Sequence, residues 1–174
     1  MKPLQSLPKP YQPADILDLS KVESGRLEIE SAWAEPHRII LEVLQMLGIK
    51  AREKGIALKF RALGALPQQI KTDPARFRQI IFNLVGNAIK FTEEGGVMVE
   101  ILSADRSFWQ IVVADTGIGI SPEEQEIIFD PFQQVDRSLK RKHSGTGLGL
   151  SITKHLVEIL GGSIRVVCSA LKNL

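Results

Sequence analysis

Residues 73–91 constrain the fold of this chain more than any other stretch. Asp73-Pro74 is a helix start, with Asp73 as N-cap and Pro74 in the first turn. At about 100° per residue, a helix from there to about Phe91 places Phe77, Ile81, Leu84 and Ala88 on one face, which should be buried. Asn83, Asn87 and Lys90 form a second row bordering that face. A polar row beside a core-facing stripe is where a ligand pocket would sit. Amide oxygens suit a hard cation such as Mg²⁺, which keeps waters and phosphate oxygens as its other ligands. A lysine supplies a compact charge for phosphate. A solvated helix edge would show the same residues, and the helix alone favours neither reading.

The flanking sequence supplies the remaining elements. Residues 1–13 carry Pro3, Pro8, Pro10 and Pro13 and read as a disordered leader. Ile16, Leu19 and Val22 sit at helical spacing before Gly25, and residues 26–29 alternate like a strand. Pro36 opens a helix striped by Ile40, Val43, Leu44 and Leu47 that ends at Gly55. Ile56, Leu58 and Phe60 alternate as a strand, and further strands are predicted at 97–102 and 108–114 around a turn at Asp105. Ser121-Pro122-Glu123-Glu124 is a capping box for a short helix ending near Phe129. Residues 130–145 lack periodicity, are rich in basic residues, and read as a mobile loop. A last helix over 146–160, with Leu148, Ile152, Leu156 and Ile159 inward, is followed by a strand at 164–167. This order predicts an α+β fold: one mixed sheet with helices packed on one face.

Two further pieces carry chemistry. Asp115-Thr116-Gly117-Ile118-Gly119-Ile120 ends an apolar strand in a carboxylate followed by two glycines. The carboxylate can accept from an exocyclic amine, and glycines let the backbone approach a flat ring closely. An Asp-led turn between two elements is the plainer alternative. Gly145-Thr146-Gly147-Leu148-Gly149-Leu150 leads straight into a helix, whose free N–H groups and dipole favour anions. The glycines follow a basic loop rather than a buried strand, so a dinucleotide fold is a poor fit, and the Lys-Ser/Thr of a P-loop is missing.

In this order and spacing the pieces resemble the nucleotide-binding boxes of sensor histidine kinases. Asn-Leu-Val-Gly-Asn-Ala-Ile-Lys-Phe-Thr at 83–92 is similar to the family's N box, and 115–120 to its first glycine box. Phe129-Asp130-Pro131-Phe132 resembles the F box, and 145–150 the second glycine box. The resemblance implies a Bergerat-type α/β sandwich with a mobile ATP lid, and ATP and Mg²⁺ as cofactors. It implies that Asp115 holds the adenine amine, that Asn87 ligates the metal, and that Asn83 and Lys90 support the phosphates and act in catalysis. Gly117, Gly119, Phe132, Gly145, Thr146, Gly147, Leu148 and Gly149 would shape the pocket and lid. Arg141 and Lys142 lie where the lid commonly carries a basic residue for the γ-phosphate; a solvated loop explains them equally well. Hydrolytic relatives carry a glutamate four residues before the magnesium asparagine. That position is Asn83, which cannot act as a general base, so phosphoryl transfer is favoured over hydrolysis.

By the same resemblance, residues 14–25 are the stub of a second dimerisation helix and 26–174 the catalytic domain, with a truncated C-terminal edge. None of His37, His143 and His155 has the setting of a phosphoacceptor, so the expected partners are an acceptor-bearing dimerisation domain and a response regulator. A net charge of +2 over 174 residues gives no sign of nucleic-acid binding. No apolar run approaches the roughly 20 residues that cross a bilayer, and Cys168 stands alone, which together suggest a cytoplasmic segment without membrane contact. A histidine-kinase catalytic part is therefore expected. The alternative is a nucleotide-binding regulatory or interaction module without phosphotransfer.

Overall fold

The computed structural model describes residues 27–64, 67–103, 109–133 and 147–168. The first helix, α1 (Pro36–Lys54), buries Ile39, Ile40, Val43, Leu44, Leu47 and Ala51 along one stripe. It stops at Gly55, whose left-handed φ of 73° is open to glycine at no steric cost. The second, α2 (Pro74–Phe91), starts where Asp73 caps it, accepting from the N–H groups of Ala75 and Arg76. Phe77, Ile81 and Ala88 are buried as expected, and Leu84 is half-buried. Arg78 meets Glu42 at 2.8 Å, and Lys54 reaches the carbonyls of Ile89 and Lys90, so the two helices run side by side in the same direction.

Five strands appear among the described residues. Strands β1 (Ala32–Ala34) and β3 (Ile70–Thr72) form a small antiparallel pair that three-residue lengths hide from any alternation pattern. The main sheet has the order β2 (Ala57–Leu63), β4 (Gly96–Ser103), β5 (Trp109–Asp115), with β2 parallel and β5 antiparallel to the central β4. Alternate residues point to opposite faces. Leu58 and Phe60, then Val97, Val99 and Ile101, then Ile111 and Val113 all join the core under the helices. Lys59, Arg61 and Glu100 lie on the other face, where Arg61 and Glu100 pair. Asp115 has the same parity as Ile111 and Val113, and so ends β5 on the helix-bearing side.

The capping box of α3 (Pro122–Ile127) forms in both directions, between Ser121 and Glu124. The last helix, α4 (Gly149–Ile159), packs against α2 with Leu148, Ile152 and Leu156 buried. Ile159 is 44% exposed and not inward, because α4 ends there in solvent. Residues 164–167 form no strand: their alternation finds no ladder partner among the described residues, and without one alternation is only a pattern. Residues 27–29 likewise form no strand. The helix at 14–25, the turn at Asp105 and the leader fall outside the described residues. No described helix is long and apolar enough to cross a membrane.

Candidate functional site

The site is organised around one side of α2. At the middle of the helix, the Asn83 amide donates to the Gly149 carbonyl (3.4 Å) and to Thr153 Oγ1 (3.3 Å), which fastens α2 to the first turn of α4. Two turns on, the Phe91 carbonyl lies against Gly117, where an added Cβ would sit 2.5 Å from that oxygen. Any side chain at 117 would drive the turn off the helix. Asn87 falls midway along the about 12 Å between these fixed points, with Lys90 one position before the second. Both are half-buried. The sequence row is therefore a real edge, bracketed by the two glycine motifs.

The first glycine turn is built on β5. Asp115 accepts the Gly117 N–H at 2.8 Å through Oδ1, a local Asx turn that fixes the carboxylate and leaves Oδ2 for another donor. Thr116 Oγ1 donates to the Glu94 carbonyl (2.7 Å) and accepts the Gly96 N–H (3.0 Å), locking the turn to the start of β4. Gly119 adopts φ 73° beside Cys168, whose sulfur accepts the Ile120 N–H at 3.4 Å. Because β5 ends on the helix-bearing side, Asp115 lies on the same side of the sheet as the end of α2.

The second glycine motif closes onto the end of the Phe129–Phe132 motif. Gly147 has φ 72°, its carbonyl accepts the Phe132 N–H at 3.1 Å, and a Cβ there would meet the Gln133 carbonyl at 2.8 Å. Phe132 is the one described non-glycine residue with positive φ, at 63°, and its side chain is 62% exposed. Leu148 is fully buried and anchors α4 rather than presenting a side chain to a ligand. Gly149 is less constrained: a Cβ would find only Asn83, at an ordinary 3.9 Å. Arg141, Lys142, Gly145 and Thr146 lie outside the described residues.

The chemistry of the edge suits a polyanion with a hard cation. Burial holds the Lys90 ammonium below its ordinary value of 10.5, a charge short of water and ready for an anionic partner. The Asn87 side chain makes no hydrogen bond among the described residues, so its amide oxygen is available to a cation. No group of three or more acidic, histidine or cysteine side chains gathers to hold a metal among the described residues. A cation here would take one protein oxygen and draw its other ligands from water and substrate, which fits Mg²⁺. Sequence reasoning assigned no role to Thr116, Thr153 or Lys54. The two threonines sit inside or beside the motifs, but their bonds join residues 20 to 70 positions apart.

The family model described as Histidine kinase-, DNA gyrase B-, and HSP90-like ATPase matches residues 72–173. The chain is 42% identical over 154 residues to the signal transduction histidine-protein kinase BarA of Escherichia coli (strain K12), covering 86% of this chain and 17% of BarA. It thus spans about a sixth of that relative's length. Full-length ShkA in complex with AMPPNP superposes with a TM-score of 0.77 at 34% identity, over 87% of this chain and 31% of that one. The isolated catalytic domain of histidine kinase ThkA gives 0.65 at 29% identity, over 75% and 82% respectively. ThkA has also been captured with the response regulator protein TrrA. The match across α2, both glycine turns and α4 makes this chain a member of the histidine kinase-, DNA gyrase B- and HSP90-like ATPase family, of the ATP-binding catalytic type found in sensor histidine kinases.

Proposed function

We propose that the chain binds Mg-ATP along the edge of α2 and donates the γ-phosphoryl group to a histidine on a dimerisation domain outside these residues. The observation that carries this is the bracketing of Asn87 and Lys90 between Gly117 and the Asn83-bonded start of α4. The fixed Asp115 carboxylate accepts the adenine amine through its second oxygen, while Gly117 and Gly119 let the ring lie against backbone. Asn87 holds Mg²⁺, which when bound neutralises charge on the phosphates. Asn83 and Lys90 support the phosphates, and Phe132, Gly147, Leu148 and Gly149 shape the neighbouring rim, while Arg141, Lys142, Gly145 and Thr146 are assigned to the nucleotide by the sequence resemblance alone.

Transfer forms a nitrogen–phosphorus bond on the acceptor histidine and breaks the bond to the ADP leaving oxygen. Such a step needs positioning and charge stabilisation more than a protein base. Asn83 leaves water unactivated, which favours transfer over hydrolysis. Residues 26–174 are read as the catalytic domain, 14–25 as the end of a dimerisation helix and 1–13 as a leader. A cytoplasmic setting and a downstream response regulator, as in the ThkA–TrrA complex, follow from the same reading. The test mixes the chain with a separate dimerisation domain and ATP labelled at the γ-phosphate. Acid-labile, base-stable label on the acceptor, lost with Asn87→Ala, is expected. Rapid phosphate release with no acceptor present would move the chain to the hydrolytic branch.

A further inference from the structure

An α-helix leaves its last four carbonyls without intrahelical partners, and in α2 these belong to the turn that carries Lys90. The Ala88 carbonyl accepts from both the N–H (3.1 Å) and the Oγ1 (2.7 Å) of Thr92. The Phe91 carbonyl lies against the Gly117 backbone. The two between them, Ile89 and Lys90, are met by one group from another helix: Lys54 Nζ donates to Ile89 O at 3.0 Å and to Lys90 O at 2.7 Å. Glu93, just past the helix end, sits 3.7 Å from the same ammonium. Lys54 lies in the last turn of α1, one residue before its Gly55 cap, so its own backbone is well determined. A cation at a helix C-terminus also offsets the negative end of the macrodipole.

From this arrangement we propose that Lys54 is a positioning residue for the nucleotide site. It touches no nucleotide; it fixes the last turn of α2, and with it the Lys90 side chain, in the half-buried setting from which Lys90 meets phosphate. The cleft between the two helix ends is lined by Lys50, Glu53, Lys54, Ile89 and Lys90, so Lys54 and Lys90 line the same cleft from neighbouring helices. Removing the Lys54 ammonium would strand two carbonyls and let the turn fray, opening Lys90 to water. The inference rests on the Mg-ATP reading above for its functional half and on geometry alone for its structural half.

The experiment compares wild type with Lys54→Gln, Lys54→Arg and Lys90→Gln. In the nucleotide-free protein, the Lys90 titration is followed by NMR at its side-chain carbon, and exchange of the Ile89 to Thr92 amides is measured. Mg-ATP affinity is measured by calorimetry. Lys54→Gln should raise the Lys90 pKa towards the ordinary lysine value, speed exchange of those amides over the rest of α2, and weaken Mg-ATP about tenfold. Lys54→Arg, which keeps charge and donors, should restore most of each. An unchanged Lys90 titration with unchanged last-turn exchange in Lys54→Gln overturns the proposal, as does Mg-ATP affinity that falls with Lys90→Gln but not with Lys54→Gln. If affinity survives Lys90→Gln as well, while the titration and exchange shift as expected, the nucleotide reading of the edge fails and the structural role of Lys54 stands.

Discussion

At the scale of single residues, Lys90 shows what a half-buried charge costs the folded chain. Its folded pKa lies below 10.5 because burial disfavours the cation. Below that folded value both folded and unfolded chains are protonated, and the full cost of the buried charge is present. As pH rises through the folded value towards 10.5 the folded protein sheds its proton first, so this group makes stability rise with pH across that alkaline window. Urea titrations at pH 8 and pH 10 should show wild type gaining on Lys90→Gln at the higher pH; a constant difference would contradict this. Mg-ATP should raise the Lys90 pKa, since an adjacent anion favours the cation. Asp115→Asn should weaken ATP by about 1–3 kcal/mol and erode its preference over GTP, because the amide cannot act as a pure acceptor; affinities for both nucleotides check it. The row Asn83, Asn87 and Lys90 was legible because helical periodicity alone places it. Thr116, which ties residue 94 to 116, was not, since no local pattern encodes a bond of that span.

Among the elements, the helix ends marked by a cap or a glycine turn were read correctly. Asp73 and Pro74 start α2, Ser121 and Glu124 close their box, and Gly55 takes the left-handed turn that ends α1. All three are decided within four residues. The β1–β3 pair and the absence of strands at 27–29 and 164–167 are decided by partners far away: sequence alternation missed the first and misjudged the other two. Asp73 is a cap with a second duty: only 4% exposed, it also accepts the Glu30 N–H at 3.1 Å, tying the entry segment to the start of α2. Asp73→Ala should therefore cost more than an ordinary cap, about 2–3 kcal/mol where a cap alone is worth about 1. Chemical denaturation checks the magnitude, and Asp73→Asn should recover much of the loss.

For the whole molecule, one core joins the three larger helices to a single sheet face, and Ile81 lies fully buried where α2 meets it. Ile81→Ala should cost about 2–5 kcal/mol, seen as a lower urea midpoint with an unchanged slope. The α/β layering was legible from the order of elements; which sheet face Asp115 ends on was not, because it depends on the register that puts Asp115 opposite Val97. The contact between Phe132 and Gly147 has a consequence of a different kind. The Phe132 N–H meets the Gly147 carbonyl, and the Gly147 backbone lies against Phe132 and Gln133, so two stretches of chain 14 positions apart are held together there. The contact thus works as a hasp on the scaffold: a side chain at position 147 would prise the end of the Phe129–Phe132 motif away from the start of α4.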